Sequence, residues 1–116
     1  AAQRARELLR QGTEVLIICA GREGTFSLDD AYTAGRLVLE AMEGRGLGVL
    51  DDAAVAAVDL VRRYRGRWDR PLRRSRAGRQ LAAIGMEADI ADAARQDQYP
   101  VLPIFQDRRV HLGHSG

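Results

Sequence analysis

The stretch Val15-Leu16-Ile17-Ile18-Cys19-Ala20-Gly21-Arg22-Glu23-Gly24-Thr25-Phe26-Ser27-Leu28-Asp29-Asp30 decides the reading of this chain. Its first six residues are a continuous apolar run with β-branched members. That is the pattern of a strand covered on both faces, and so of a central, parallel strand. Gly21 to Phe26 read as a loop, and Ser27 to Asp30 as a capping-box-like start to a helix, with Asp30 where glutamate is more usual.

Upstream, Ala5, Leu8 and Leu9 share one helical face and Gly12 ends that helix. Downstream, Ala31, Ala34, Gly35, Val38 and Met42 carry a helical stripe to about Glu43, closed by Gly44, Gly46 and Gly48. Asp51 caps a further helix through Val55, Val58 and Val61, ending near Gly66. Pro71 fits the first turn of another, with Ala77, Leu81 and Ile84 inward and Gly85 as its stop. Asp89 to Arg95 reads as a shorter helix. Val101 to Phe105 and Val110 to Leu112 pair as a hairpin around Gln106-Asp107-Arg108, and Pro103 demands an edge position. Residues 113–116 are expected to fray. Strands flanked by helices predict one α/β domain over residues 1–112, a layered α/β/α fold on a mixed, partly parallel sheet.

Apolar content of 46% and charge of 29% are ordinary for a globular chain of 116 residues, which excludes wholesale disorder. No apolar run approaches the roughly 18 residues of a membrane span, so no membrane partner and a cytoplasmic location are expected. Cys19 has no partner cysteine in the chain, and in an apolar strand it reads as a core thiol rather than a nucleophile.

All 18 basic side chains are arginine, and they are unevenly placed. Nine lie between Arg62 and Arg79 against one acid, Asp69, while residues 1–61 carry −4 and residues 80–116 carry −2. Interleaved with Tyr64 and Trp68, the stripe could track a nucleic-acid backbone and stack bases. Two solvated helix faces, or pairing with acids elsewhere, are the preferred explanation, since no nucleic-acid motif accompanies the stripe. Nucleic acid is therefore not the expected partner.

The chemistry-bearing residues lie in the opening stretch. In open α/β sheets, ligands bind beyond the carboxyl ends of strands, where helix amino ends offer free N–H groups and a positive dipole. Gly21 and Gly24 allow close backbone approach, Arg22 can fork onto phosphate or sulfonate oxygens, and Thr25 and Ser27 can donate hydroxyl hydrogens. Glu23, Asp29 and Asp30 would repel an anionic ester unless a cation intervenes. Magnesium takes one or two carboxylates plus substrate oxygens and water, and would resolve that conflict. As alternatives, Asp29 and Asp30 compensate the helix dipole, and Arg22 with Glu23 forms an ion pair. His111 and His114 have H-x-x-H spacing but no third ligand nearby in sequence.

Cys19-Ala20-Gly21-Arg22-Glu23-Gly24, then Ser27-Leu28-Asp29-Asp30-Ala31 and Ala34-Gly35, resembles the 2-phosphosulfolactate phosphatase (ComB) family, in which an AGR-(E)-G loop leads into an (E/D)-D-A-x-x-A-G helix. Ser75, Leu81, Gly85, Asp89-Ile90, Ala93-Ala94, Asp97 and Val101-Leu102-Pro103 look like that family's closing pattern. The resemblance implies a magnesium-dependent phosphatase that hydrolyses 2-phospho-3-sulfolactate to 3-sulfolactate and phosphate in coenzyme M biosynthesis. It also implies that this chain corresponds to the carboxy-terminal half of a protein about twice as long, since the D-x-[LIF]-R-A-[ST]-[ST] and T-x-N-G-T type segments of the amino-terminal half are not found here.

Carried over residue by residue, the resemblance makes Glu23 and Asp30 the catalytic and metal-bearing carboxylates, with Asp29 a further metal ligand. Gly21, Arg22 and Gly24, which match the motif, and Thr25 and Ser27, through their hydroxyls, are the expected substrate-binding residues, with a small anionic phosphoester as the ligand. A homo-oligomer is expected. The competing readings are a non-catalytic anion-binding or assembly module and, behind it, a nucleic-acid binder through Arg62 to Arg79.

Overall fold

A computed structural model describes residues 1–113. Helix α1 (Ala2–Arg10) leads through an extended segment to α2 (Leu28–Ala41), a short 3-10 turn (Leu47–Val49) and α3 (Asp52–Tyr64). Helices α4 (Asp69–Arg74), α5 (Arg76–Ala83) and α6 (Glu87–Ala93) follow, and then strands β1 (Leu102–Gln106) and β2 (Arg109–Gly113). The described residues are thus mostly helical, with one two-stranded antiparallel sheet.

The core forms where α2 crosses α3. Val58, Val61 and Tyr64 recur at helical spacing on α3 and are buried, so that face turns towards α2. Tyr32, at 0% exposure, lies at the centre. Its ring meets Tyr64 edge-on at 6.0 Å and Trp68 edge-on at 5.0 Å between centroids, a geometry that pairs the positive edge of one aromatic with the negative face of another. Gly35 permits the close approach of the two helices, because a Cβ there would collide with the Ala57 carbonyl and the Val61 side chain. Asp51 caps α3 as its position predicts, accepting a 2.8 Å hydrogen bond from the Ala54 N–H.

Several expectations are corrected. The apolar run Val15 to Ala20 is not a covered central strand. It joins no ladder, only Ile17 is half-buried, and Leu16 and Ile18 are 77% and 82% exposed. A parallel strand needs neighbours on both edges and helices on both faces, and the described residues supply no strand beside it. Cys19 is correspondingly exposed rather than a core thiol.

The single helix expected from Pro71 to Gly85 is instead two, broken at Ser75, whose extended backbone separates α4 from α5. Ser75 is buried; its hydroxyl donates to Leu72 O at 2.7 Å and accepts from the Gly78 N–H at 3.0 Å, which ends one helix and caps the next. Gly78 then faces inward, where a Cβ would meet the Leu72 carbonyl, and Ile84 is exposed.

The aromatic residues of the arginine stripe bear on the nucleic-acid reading, which is not the expected one. Tyr64 is a core residue and Trp68 packs against that core, so neither is free to stack on bases.

The terminal hairpin forms in the expected place, with Pro103 opposite Leu112 on a two-stranded sheet that is all edge. Asp107 and Arg108, at φ 52° and 61°, make the two-residue turn whose twist matches the strands. Gly113 belongs to β2, paired with Leu102, rather than to a frayed tail; residues 114–116, with His114, lie outside the described residues. Among the described residues no helix is long and apolar enough to cross a membrane.

Candidate anion-binding site

The loop between the extended segment and α2 is a tight turn. Arg22 and Thr25 exchange backbone hydrogen bonds of 3.1 and 2.9 Å, and the two residues between them, Glu23 and Gly24, both have positive φ, 51° and 73°. That pairing is the signature of the turn that joins antiparallel strands, and glycine is the residue best suited to its second position. Gly21 is equally constrained, because at φ 71° a Cβ would lie 2.6 Å from Thr25 O.

The expected capping box at the start of α2 is not made. Ser27 gives α2 no side-chain cap; its hydroxyl pairs with the Asp29 carboxylate instead. Asp30 reaches back to accept a 2.8 Å hydrogen bond from the Gly21 N–H, tying the loop's entrance to the helix. The first-turn amides of α2 are thus left without a side-chain cap, while the Asp29 and Asp30 carboxylates in the same turn offset the positive end of its dipole. The Thr25 hydroxyl donates back to Arg22 O at 2.6 Å.

Chain folding brings the turn against α5. The Arg22 guanidinium donates to the Gln80 side-chain carbonyl, and Arg76 pairs with Glu23 at 3.2 Å. Between the two lies a pocket of about 190 Å³ walled by Arg22, Thr25 and Ser27 on the loop side and by Arg74, Arg76 and Arg79 on the other. No acidic residue lines it. Arg74 is held in place by Tyr64, whose hydroxyl accepts from it at 3.0 Å and whose ring lies 6.0 Å from its guanidinium carbon.

Part of the arginine stripe, exposed as its composition predicts, also faces the loop. It is the second wall of the loop's pocket. Sequence reading missed Arg74, Arg76, Arg79 and Gln80 as partners of this loop; their only signal was the local excess of arginine.

The carboxylates are arranged differently from the pocket. Glu23 faces Arg76, Asp29 accepts from Ser27 and Asp30 from Gly21. None of the three lines the pocket, and among the described residues no group of three or more His, Cys, Asp or Glu side chains is placed to hold a metal ion. His111 lies exposed on β2 and contributes to no such group. Asp29 and Asp30 each keep a second carboxylate oxygen, which fits the one or two carboxylates magnesium takes. Glu23 would first have to leave Arg76. Asp30 also acts on its neighbour Cys19, whose thiol is raised above its ordinary value by desolvation and, secondarily, by the Asp30 charge.

A larger groove of about 610 Å³ runs between α1, α2 and the segment before β1. Its lining mixes four arginines, Arg6, Arg10, Arg36 and Arg95, with three acids, Glu7, Glu40 and Asp97, and Arg36 pairs with Glu40 at 3.2 Å. The smaller pocket is the one with a single sign of charge.

The sequence model of the family described as 2-phosphosulpholactate phosphatase matches residues 1–108. The chain belongs to this family. Probable 2-phosphosulfolactate phosphatases from Symbiobacterium thermophilum and Thermus thermophilus are 38% and 37% identical to it, over 92% and 93% of this chain but 46% and 44% of their own lengths. The 2-phosphosulfolactate phosphatase of Methanothermobacter thermautotrophicus is 31% identical over 96% of this chain and 45% of its own. The chain thus spans slightly less than half the length of these curated relatives. No solved structure matches it. Within the 2-phosphosulpholactate phosphatase family, then, the loop, the start of α2 and the α4–α5 break all lie inside the matched residues.

Proposed function

We propose that this chain supplies one wall of the active site of a phosphomonoester hydrolase acting on a small anionic phosphoester, 2-phospho-3-sulfolactate being the substrate the family's name favours. The observation that carries the proposal is the pocket where the uncapped start of α2 meets four guanidinium groups with no acid between them. Phosphate oxygens are matched on the loop side by the charged, forked donors of Arg22 and by the amide end of α2, while Arg74 and Arg79 on the opposite wall take no part in this phosphoryl contact. In this reading Arg22 and the Gly21-to-Ser27 backbone hold the phosphoryl group. Gln80 fixes the direction of Arg22, and the Asp30 bond to Gly21 fixes the loop.

Magnesium belongs to the same proposal. Asp29 and Asp30 would hold it through their remaining oxygens, with Glu23 as a third candidate, and the ion would offset charge on the phosphoryl oxygens. Hydrolysis also needs a group to activate water, and that group is proposed to lie in the part of the fold that completes the site. The same completion would place strands beside Val15 to Ala20 and restore the layered α/β/α sheet, in a cytoplasmic protein that is itself a homo-oligomer.

The test is phosphate release from 2-phospho-3-sulfolactate by the protein carrying this chain, with and without magnesium. Arg22→Gln should lower kcat/KM by about 100-fold, the scale of losing one charged hydrogen-bonding contact to the transition state. Full magnesium-dependent release by a Glu23→Gln, Asp30→Asn double variant would remove both carboxylates from the mechanism.

A further inference from the structure

The pocket holds more positive charge than one phosphoryl group requires. Of its four guanidinium groups, only Arg76 faces a carboxylate, that of Glu23. Arg22 and Arg74 are steered by neutral partners, Gln80 and the Tyr64 hydroxyl, and Arg79 has no ion pair among the described residues. Three cations are left without a compensating charge, around a space of about 190 Å³. Arg74, Arg76 and Arg79 are exposed, so solvent screens their mutual repulsion, and a concave space ringed by one sign of charge favours an anion between them. A phosphoryl dianion on the loop side neutralises two of them at most. The volume, on the order of six water molecules, admits only a short ligand.

We propose that Arg74 and Arg79 form a second anion subsite, reading a carboxylate or sulfonate carried a few bonds from the phosphoryl group, and that Tyr64 is the positioning residue for Arg74. The inference rests on the phosphatase reading for the phosphoryl end, but it assigns specificity to the α4–α5 wall, which nothing about the loop requires. The break at Ser75 is what makes the subsite. An unbroken helix would carry Arg74 and Arg79 five residues apart, about 140° around the axis from each other, whereas the extended Ser75 backbone lets both reach one pocket. Tyr64 acts at a distance from the ligand, through the 3.0 Å bond that keeps the Arg74 fork from swinging into solvent.

The experiment compares two phosphoesters that differ only in the second anion, 2-phosphoglycolate and ethyl phosphate, in the protein carrying this chain. Arg74→Gln and Arg79→Gln should each raise KM for phosphoglycolate about tenfold and leave ethyl phosphate within twofold. Tyr64→Phe, which keeps the ring and loses the hydroxyl, should raise KM for phosphoglycolate about threefold with kcat unchanged. Arg79→Lys should recover part of the loss, and Arg70→Gln, on α4 but outside the pocket, should change nothing. Equal shifts on both esters, or none on either, would overturn the subsite. Should the wild-type protein hydrolyse neither ester, the phosphatase reading fails by itself. Calorimetry with sulfoacetate then decides the subsite: binding that is lost in the Arg74 and Arg79 variants but kept in Arg70→Gln supports it, and no binding by the folded wild-type chain overturns it.

Discussion

The Val15-to-Ala20 run is continuously apolar and α2 and α3 are apolar only along a stripe, yet that stripe is buried and the run is exposed. On α2 and α3 the apolar residues find each other within the chain, and Tyr32, Val58 and Val61 are almost entirely buried. In the run before the loop, Leu16 and Ile18 remain among the most exposed large apolar residues described. A helix satisfies its own backbone and needs one neighbour to cover its stripe, whereas a strand needs partners for its backbone as well as for its side chains. The helical pair is therefore self-sufficient in this chain, whereas the described residues offer the strand-forming run no partner.

That contrast can be broken by mutation. Tyr32→Ala should destabilise the chain by about 3–5 kcal/mol in urea denaturation followed by circular dichroism, the cost of emptying an aromatic core position. Ile18→Ala should change stability by less than about 0.5 kcal/mol, as at other exposed sites. Comparable losses at the two positions would mean that the run is already packed. Gly35→Ala should come next, at about 1–3 kcal/mol, since the collision with the Ala57 backbone outweighs the roughly 1 kcal/mol gain in helix propensity. Gly46→Ala, with open space around it, should be close to neutral.

A subtler prediction concerns the Tyr32 hydroxyl, which is buried without a hydrogen-bond partner. Its pKa is raised chiefly by burial, with Arg36 pulling it down and Asp69 pushing it up. The folded chain thus keeps the phenolic proton to higher pH than the unfolded chain does. This group's contribution to stability is complete below the unfolded value of about 10 and is lost as pH rises through the folded one. Tyr32→Phe should therefore be neutral or stabilising by about 1 kcal/mol at pH 7, and should flatten the loss of stability above pH 10 measured by denaturant titration.

The smallest effect is expected at the edge of the exposed run. Cys19 reacts as its thiolate, so its raised pKa slows alkylation near neutral pH. Asp30→Asn removes the secondary cause and should speed iodoacetamide labelling a few-fold at pH 8. An unchanged rate would leave desolvation as the whole cause.

Much of the helical framework was legible in the residues. The stripe from Ala34 through Met42, the Asp51 cap and the hairpin near Pro103 each depend on contacts a few residues apart, or on one partner of matching period. The misreadings arose where a local pattern has more than one solution. Ser27 and Asp30 have capping-box spacing, but Gly21 outcompetes the α2 amide for Asp30. No glycine or proline stands beside Ser75 to announce a break, and it makes one because burial leaves its hydroxyl only backbone partners.

The sequence by itself determined that Gly21 to Gly24 would form a tight loop opening onto a helix, because positive φ and close backbone approach are properties of single residues. Only the tertiary structure decided that Arg74, Arg76 and Arg79, some fifty residues later, would face that loop, and that Glu23 would face Arg76. Charge carries no direction along a chain. Where an arginine points is settled by the helix that bears it, and here by one buried serine that breaks α4 from α5 and turns a basic stripe into the wall of a pocket.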